Sequence, residues 1–329
     1  VVLRRATNRG RDPGPRATGA PGPLPVGASH ISIRRQSVGE GYERLIRHTV
    51  MPERPQQPVE VAPIHEYRFD DGTVWTEFYR SGAGYLLRFP GLADFEVSAD
   101  GAEVITHPVE GCDETTVEHL YINQLMPLAL SRQGRPAFHA SVVTVPGGAV
   151  AFLGKTGMGK STLAASFALG GAAFLTDDSL LVDESADRYQ ALPSHASLRL
   201  WQDSVDAIVG DRHVRADSIN YSRKARLLAG EGLPYCDTPQ PLLAAFFLRN
   251  TGVASVAIGE TSGTSRCMQW IEHSFLLDIE DKDLLARHFE WTHRIAESVP
   301  SFTLDYPRNY GILPDVRRAV LQQVKNGGN

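Results

Sequence analysis

The pattern of apolar and polar residues divides the chain into three stretches. Residues 1–57 are rich in proline, glycine, alanine and arginine and contain few residues that could be buried, which is typical of a disordered basic tail. From residue 58, short β-branched and aromatic runs alternate with turns. From about residue 136, apolar strands alternate with helices, a pattern typical of an α/β fold.

The middle stretch, residues 58–135, is predicted to be a small β-rich domain followed by a connecting helix. The segment YRFDDGTVWTEFYR places Asp71-Gly72 between two β-prone runs, which is the pattern of a hairpin. A second Asp-Gly pair at 100 and 101 predicts another turn. Residues 114–134 have apolar positions at helical spacing, and Pro127 among them predicts a kink or a break in the helix.

The third stretch, residues 136–329, contains FLGKTGMGKSTLAASF between an apolar strand and a helix. Residues 154–161 fit the P-loop (Walker A) pattern G-x-x-x-x-G-K-[ST] at every fixed position. Glycines let the backbone N–H groups of such a loop face phosphate oxygens, and the next helix adds its positive dipole end. A chance match is the alternative, but motif, strand and helix agree. The predicted nucleotide-binding residues are Gly154, Lys155, Thr156, Gly157, Met158, Gly159, Lys160, Ser161 and Thr162.

Four side chains have distinct predicted tasks. The Lys160 ammonium should reach the β- and γ-phosphates, and the Ser161 hydroxyl should bind Mg²⁺. Asp177 and Asp178 follow another apolar strand, where a carboxylate is needed beside the metal. One carboxylate can hold Mg²⁺ while the other accepts a proton from an attacking hydroxyl. The same pair could instead cap a turn or a helix.

Other features narrow the functional class. The chain contains neither an N-K-x-D guanine-binding motif nor an L-S-G-G-Q transporter signature, which leaves a phosphotransferase as the leading class. The net charge is −5, and residues 1–40 hold seven arginines against two acidic residues, so the remainder is more acidic still. This charge argues against nucleic acid as the main partner.

The sequence also predicts a cytoplasmic protein with no membrane partner. No apolar run approaches the roughly 20 residues that a membrane helix requires, and no secretory signal pattern is present. The three cysteines, Cys112, Cys236 and Cys267, are isolated. They match neither a disulfide framework nor a zinc site, which favours a reducing compartment.

His139, the loop GKTGMGKST and the segment LTDDSLLV together resemble the catalytic core of the HPr kinase/phosphorylase family. The stretches VEHLYINQLMPLAL, SHASLRLW and YPRNYGILPDVRRAV are similar to HPr-kinase-like proteins of peptide biosynthesis clusters, which include lasso-peptide precursor kinases. The resemblance implies a P-loop kinase domain of HPr-kinase type for residues 136–329, and the residue pattern places the small β-rich domain before it.

By this resemblance, Asp178 is the general base that takes the proton from a serine hydroxyl, and Asp177 supports it near the metal. Lys160 and Ser161 match the nucleotide and metal positions, and both aspartates join Ser161 as implied metal ligands. His139 matches a histidine beside the active site, although a histidine at a strand start is more often structural.

The roles of two further sets of residues are not decided by the sequence. Thr162 replaces an acidic residue of the family, and in SLRLWQD only Asp203 could stand for the family's glutamate metal ligand. The candidates to neutralise the charge of the transferred phosphate are Arg199, Arg223, Lys224 and Arg226.

These observations predict an ATP- and Mg²⁺-dependent serine kinase that acts on a peptide or small protein. A lasso-type precursor peptide is the most specific acceptor that the resemblance implies. A kinase of a small hydroxylated metabolite and a non-catalytic nucleotide-binding switch are the alternatives. The sequence also leaves open a homo-oligomer, in which a second copy of the chain is the partner.

Overall fold

The computed structural model describes most of the chain after residue 44. Arg47–Val50 already forms a strand, in parallel pairing with residues 103–106, and the neighbouring Ile46 is buried in the core. The boundary of the predicted tail at residue 57 is therefore corrected, because the apolar pair at 45 and 46 anchors a stretch whose average composition is polar. The described residues are 45–69, 71–82, 84–185, 188–209, 215–216, 224–230 and 232–327. Residues 1–44 of the predicted tail lie outside them.

The N-terminal sheet has six strands among the described residues. They are β1 Arg47–Val50, β2 His65–Arg68, β3 Val74–Ser81, β4 Gly84–Phe89, β5 Ala93–Val97 and β6 Glu103–Pro108. Their order is β1-β6-β5-β4-β3-β2, and all neighbours except β1 and β6 are antiparallel. Both Asp-Gly pairs lie in turns of this sheet, with φ of 86° at Gly72 and 74° at Gly101.

A broken helix packs against this sheet. Apolar residues of the helix, including Leu120, Leu125 and Leu130, join one buried cluster with Phe89 and Phe95 of the sheet. The break is a π-helical turn, and Pro127 comes directly after it, in the first turn of the next segment, where its missing N–H costs little. The three segments are α1 Glu114–Leu120, the π-helical turn Tyr121–Leu125 and α2 Met126–Arg132.

The second half of the chain contains a central sheet and a small sheet. In the central sheet the order is β10-β8-β9-β16-β12-β11-β7, with β18 also beside β16 and β17 beside β18. Neighbours β9, β16 and β18 are parallel. The central strands are β7 Ala137–Phe138, β8 Ala140–Val145, β9 Gly148–Leu153, β10 Phe174–Thr176, β11 Leu180–Ser185, β12 Arg188–Leu192, β16 Gln240–Arg249, β17 Ala257–Glu260 and β18 Ser301–Asp305. The small sheet contains β13 Ser197–Leu200, β14 Arg215–Ala216 and β15 Ala225–Leu228.

Helices cover both faces of the central sheet, so the fold is mixed α/β. Alternate side chains of β9 enter different buried clusters: Phe152 packs with α3 and α7, and Leu153 packs with α5 and α6. The helices are α3 Lys160–Leu169, α4 Gln202–Ser204, which continues into a π-helical turn Val205–Val209, α5 Gly263–Glu272, α6 Lys282–Ser298 and α7 Leu313–Gly327, which follows a 3₁₀ turn Tyr310–Ile312.

A buried carboxylate connects the N-terminal sheet to the second half of the chain. Asp278 is 1% exposed. Its oxygens accept hydrogen bonds from Arg80 at 2.9–3.1 Å and from the Tyr85 hydroxyl at 3.1 Å. Arg132 of α2 adds a 2.5 Å ion pair with Asp281. Since a buried charge requires partners, these contacts fix how the two sheets pack.

His288 on α6 gives this fold an expected sensitivity to mild acid. Burial lowers the pKa of His288 from 6.5 to about 4, and its Nε2 lies 2.7 Å from the Ser274 hydroxyl. The folded state keeps this imidazole neutral while the unfolded chain binds a proton, so stability falls as the pH drops from 6.5 towards 4. At pH 5 this histidine should cost about 2 kcal/mol of unfolding free energy.

Urea unfolding at pH 7 and pH 5 measures this cost. His288→Gln should lose less stability than the parent between these two pH values. The matched control is His293→Gln, because His293 lies on the same helix and is exposed, and it should respond as the parent does. An unchanged pH response in His288→Gln would contradict the expectation.

Candidate functional site

The glycine-rich loop joins the end of β9 to the start of α3. Gly157 and Gly159 have φ of 84° and 89°, a left-handed conformation that glycine adopts at little cost. A Cβ on Gly159 would also lie 3.2 Å from the Tyr306 hydroxyl. The loop therefore requires glycine at both positions. It ends where the first N–H groups of α3 have no partner within the helix, which is a geometry suited to anions.

Lys160 lies folded against this loop. Its Nζ donates to the carbonyl oxygens of Gly154 at 2.7 Å and Lys155 at 3.3 Å, and the residue is 5% exposed. Burial lowers the pKa of Lys160 to about 8, and the charges of Asp178 and Asp177 oppose that shift. The side chain is therefore mainly an ammonium at neutral pH, held beside the loop.

Asp177 accepts hydrogen bonds from three directions. Its Oδ1 accepts from Ser161 at 2.9 Å and from Ser141 at 2.5 Å, and its Oδ2 accepts from the Arg199 backbone N–H at 3.0 Å. Burial, and then the charge of Asp178, raise the pKa of Asp177. The structure thus places a buried carboxylate against the hydroxyl that was predicted to bind Mg²⁺.

The donor set suits Mg²⁺ held jointly with a bound phosphate. Mg²⁺ typically uses one or two carboxylates and completes its coordination with water and phosphate oxygens. Ser161 and Asp177 provide such a pair. Within the described part of the chain, no group of three or more His, Cys, Asp or Glu residues could form a separate metal site.

Asp178 lies in a different environment from its neighbour. Its φ of 69° is left-handed, a strained conformation that Asp tolerates better than most residues. Arg199 donates to its Oδ2 from Nε at 3.0 Å and from Nη2 at 2.5 Å. Burial alone would raise the pKa of Asp178, but the charges of Arg199 and Lys224 hold it well below its usual range. The carboxylate is therefore ionised at physiological pH.

The three predicted metal ligands are consequently not equivalent. Ser161 and Asp177 are in contact, whereas the carboxylate of Asp178 pairs with Arg199. The opposite directions of their pKa shifts are typical of neighbouring carboxylates with different roles.

His139 lies between β7 and β8 and contacts the backbone of Asp178. Its Nδ1 is 2.8 Å from the Asp178 carbonyl oxygen. Burial, and then the charge of Lys160, lower the pKa of His139 to about 3, so the ring is neutral. Because a carbonyl can only accept, Nδ1 carries the proton and donates it. His139 thus helps to hold the strained backbone of Asp178.

Two residues near the loop were not predicted from the sequence. Ser141, which bonds Asp177, is a buried polar residue in the apolar run HASVVTV. A serine that interrupts an apolar strand is a sequence signal for a buried polar contact. Arg308 donates from Nη1 to the Met158 carbonyl at 3.0 Å, and its guanidinium lies 4.2 Å from the centre of the Tyr306 ring. Nothing in the local sequence around Arg308 indicates this contact.

The remaining candidates lie at several places around the site. Asp203, the candidate for a further metal ligand, accepts a 2.9 Å hydrogen bond from the Tyr310 hydroxyl. Thr162 lies 3.2 Å from the Ser204 hydroxyl. Among the four basic candidates, Arg199 bonds Asp178 and the Lys224 ammonium lies over the Trp201 ring. Arg226 bonds Ser197 and His195. Arg223 lies outside the described residues.

Comparisons with known proteins add little to this geometry. No family model matches the chain, and no curated protein matches it. One matching solved structure is the HPr(Ser) kinase/phosphatase from Coxiella burnetii, with 11% identity, a TM-score of 0.25, and coverage of 49% of this chain and 97% of that chain. In the described part of the chain, no helix is long and apolar enough to cross a bilayer.

Proposed function

We propose that the protein is an ATP- and Mg²⁺-dependent kinase that transfers phosphate to a serine hydroxyl of a peptide or small protein. The observation that carries the proposal is the contact of Ser161 with Asp177 at 2.9 Å, directly beside a glycine-rich loop and an ionised Asp178. A lasso-type precursor peptide is the most specific acceptor, and it rests on the sequence resemblance alone.

The loop and Lys160 supply the groups that would hold a triphosphate. Backbone N–H groups at the start of α3 and the ammonium of Lys160 offer hydrogen bonds and positive charge. Ser161 and Asp177 would hold Mg²⁺, which neutralises phosphate charge and orients the phosphoryl group when bound. The burial of Lys160 strengthens its interaction with an anion, because little water screens it.

Asp178 is suited to accept the proton of the attacking hydroxyl. A general base must be ionised before the reaction, and the pairing with Arg199 keeps Asp178 in that state, while the same pairing lowers its pKa and therefore its basicity. Both of these bonds from Arg199 end on the same oxygen, Oδ2, and they hold the carboxylate in one orientation. His139 holds the backbone of the same residue. Orientation and charge therefore agree with a base at this position.

Incubation with ATP labelled at the γ-phosphate tests the proposal. The acceptors are short peptides with a central serine and randomised flanks, and the control is the same library with a central alanine. Labelled phosphoserine is expected from the serine library only, and chelation of Mg²⁺ should prevent it. ATP binding without transfer would instead support a nucleotide-binding switch, and transfer only to small hydroxylated compounds would support a metabolite kinase.

A further inference from the structure

The small sheet presents a basic face that continues directly from the two aspartates. Strands β13 and β15 are antiparallel, with Arg199 opposite Arg226 and Leu200 opposite Ala225. The next positions, Trp201 and Lys224, extend that register, and the Lys224 ammonium lies 5.6 Å from the centre of the Trp201 ring. We call these four residues the β13–β15 face: Arg199, Trp201, Lys224 and Arg226.

Strand alternation puts Arg199 and Arg226 on the same side of the small sheet, and Trp201 and Lys224 lie at the ends of the same two strands. The intervening residues Leu198, Leu200 and Leu227 are at most 1% exposed and lie in the hydrophobic core with α3 and α7. The core thus fixes the backbone of both strands from behind. The opposite side carries the guanidinium groups of Arg199 and Arg226.

One part of the β13–β15 face meets the candidate active site. Arg199 bonds Asp178 with its side chain and Asp177 with its backbone N–H. Trp201 lies two positions after Arg199 along the chain, and the Lys224 ammonium lies 5.6 Å from the centre of the Trp201 ring. A group resting on Trp201 and Lys224 would therefore be next to the proposed base.

The two ends of the face differ in accessibility. At one end Arg226 is 7% exposed and bonds Ser197 and His195. At the other end Trp201 is 47% exposed, although a large aromatic ring normally gains from burial. The face is therefore closed around Arg226 and open around Trp201.

We propose that the β13–β15 face binds the acceptor, and that the acceptor is a peptide with an acidic side chain close to the phosphorylated serine. This inference rests on the kinase function proposed above. Charge complementarity selects the acidic residue, because Lys224 places a cation beside Trp201 at the open end of the face. An open surface with an exposed tryptophan fits an extended peptide, whereas small molecules are usually bound in enclosed pockets.

The serine peptide library tests this inference when the phosphorylated members are sequenced. Aspartate and glutamate should be enriched beside the serine. Trp201→Ala should raise the acceptor KM about 10- to 30-fold, as for a central aromatic contact. Lys224→Gln should raise it about 2- to 5-fold for acidic peptides only, as for an exposed ion pair. The matched controls are Phe289→Ala, at a residue 52% exposed, and Lys325→Gln, at an exposed lysine on α7; both should behave as the parent.

A direct binding measurement separates this inference from the kinase proposal. A selected acidic peptide and its glutamine-substituted counterpart, both fluorescently labelled, are titrated with the protein and followed by anisotropy. Tighter binding of the acidic peptide to the parent, lost in Lys224→Gln, supports the inference. Phosphorylation without any acidic preference overturns it and leaves the kinase function standing. Absence of any phosphorylated peptide overturns both.

Discussion

Asp178→Asn is expected to lower the rate of phosphoserine formation by about 100- to 10,000-fold while ATP still binds. Asparagine keeps the size of the side chain and tolerates the left-handed conformation at φ 69°, so the backbone should not change. It cannot accept the proton, however, and a base acts in the transition state rather than in ground-state binding. The measurements are ATP affinity by calorimetry and product formation by mass spectrometry.

The pairing of Asp178 with Arg199 requires a second comparison. If Asp178 acts mainly by holding Arg199, then Arg199→Gln should cause the same loss, and the double variant should lose nothing more. If Asp178 is the base, Arg199→Gln leaves a carboxylate that can still accept a proton, and the double-mutant cycle should show a separate effect of Asp178. A near-parent rate in Asp178→Asn would place the base elsewhere.

Asp177→Asn provides the matched comparison on the neighbouring residue. Its carboxylate contacts Ser161 and Ser141 rather than the Arg199 guanidinium. We therefore expect this variant to need more Mg²⁺ for half-maximal activity and to recover part of its rate when Mg²⁺ is raised. Asp178→Asn should show no such recovery. The two aspartates are thus distinguished by metal dependence as well as by rate.

Local sequence carried enough information to locate the loop and the acidic pair. Gly157 and Gly159 have local φ values that glycine adopts at little cost. Lys160 is the next residue and the first residue of the helix that follows. Asp177 and Asp178 follow β10 directly, as the apolar run before them indicated. Each of these features depends on a few adjacent residues, so the local sequence pattern can predict it.

The different environments of the two aspartates depend on contacts that are remote in sequence. Arg199 reaches Asp178 from β13, and Ser141 reaches Asp177 from β8. Neither contact follows from spacing, because it depends on how the small sheet and the central sheet pack together. The sequence therefore suggested both aspartates as metal ligands, whereas only Asp177 contacts Ser161.

Lys160→Ala is expected to reduce ATP turnover by at least about 100- to 1,000-fold, the loss typical when a preorganised donor to developing charge is removed. The ammonium is buried and bonded to the loop carbonyls of Gly154 and Lys155, so it is held in place beside the loop. ATP affinity should fall as well, since the charge acts on the ground state too. Turnover and calorimetric affinity are measured on the same preparation.

Two further variants show that the loss comes from the missing charge. Lys160→Met fills the same space without an ammonium, so it should match Lys160→Ala in turnover while preserving packing. Lys155→Ala removes another lysine of the same loop, whose ammonium pairs with Glu272 at 3.3 Å on the surface, and its effect should be much smaller. Thermal unfolding of all three variants tests whether they remain folded. Near-parent turnover in a folded Lys160→Met would mean that the loop does not act on a triphosphate, because among the described residues Lys160 is the lysine whose buried ammonium is bonded to the loop carbonyls of Gly154 and Lys155.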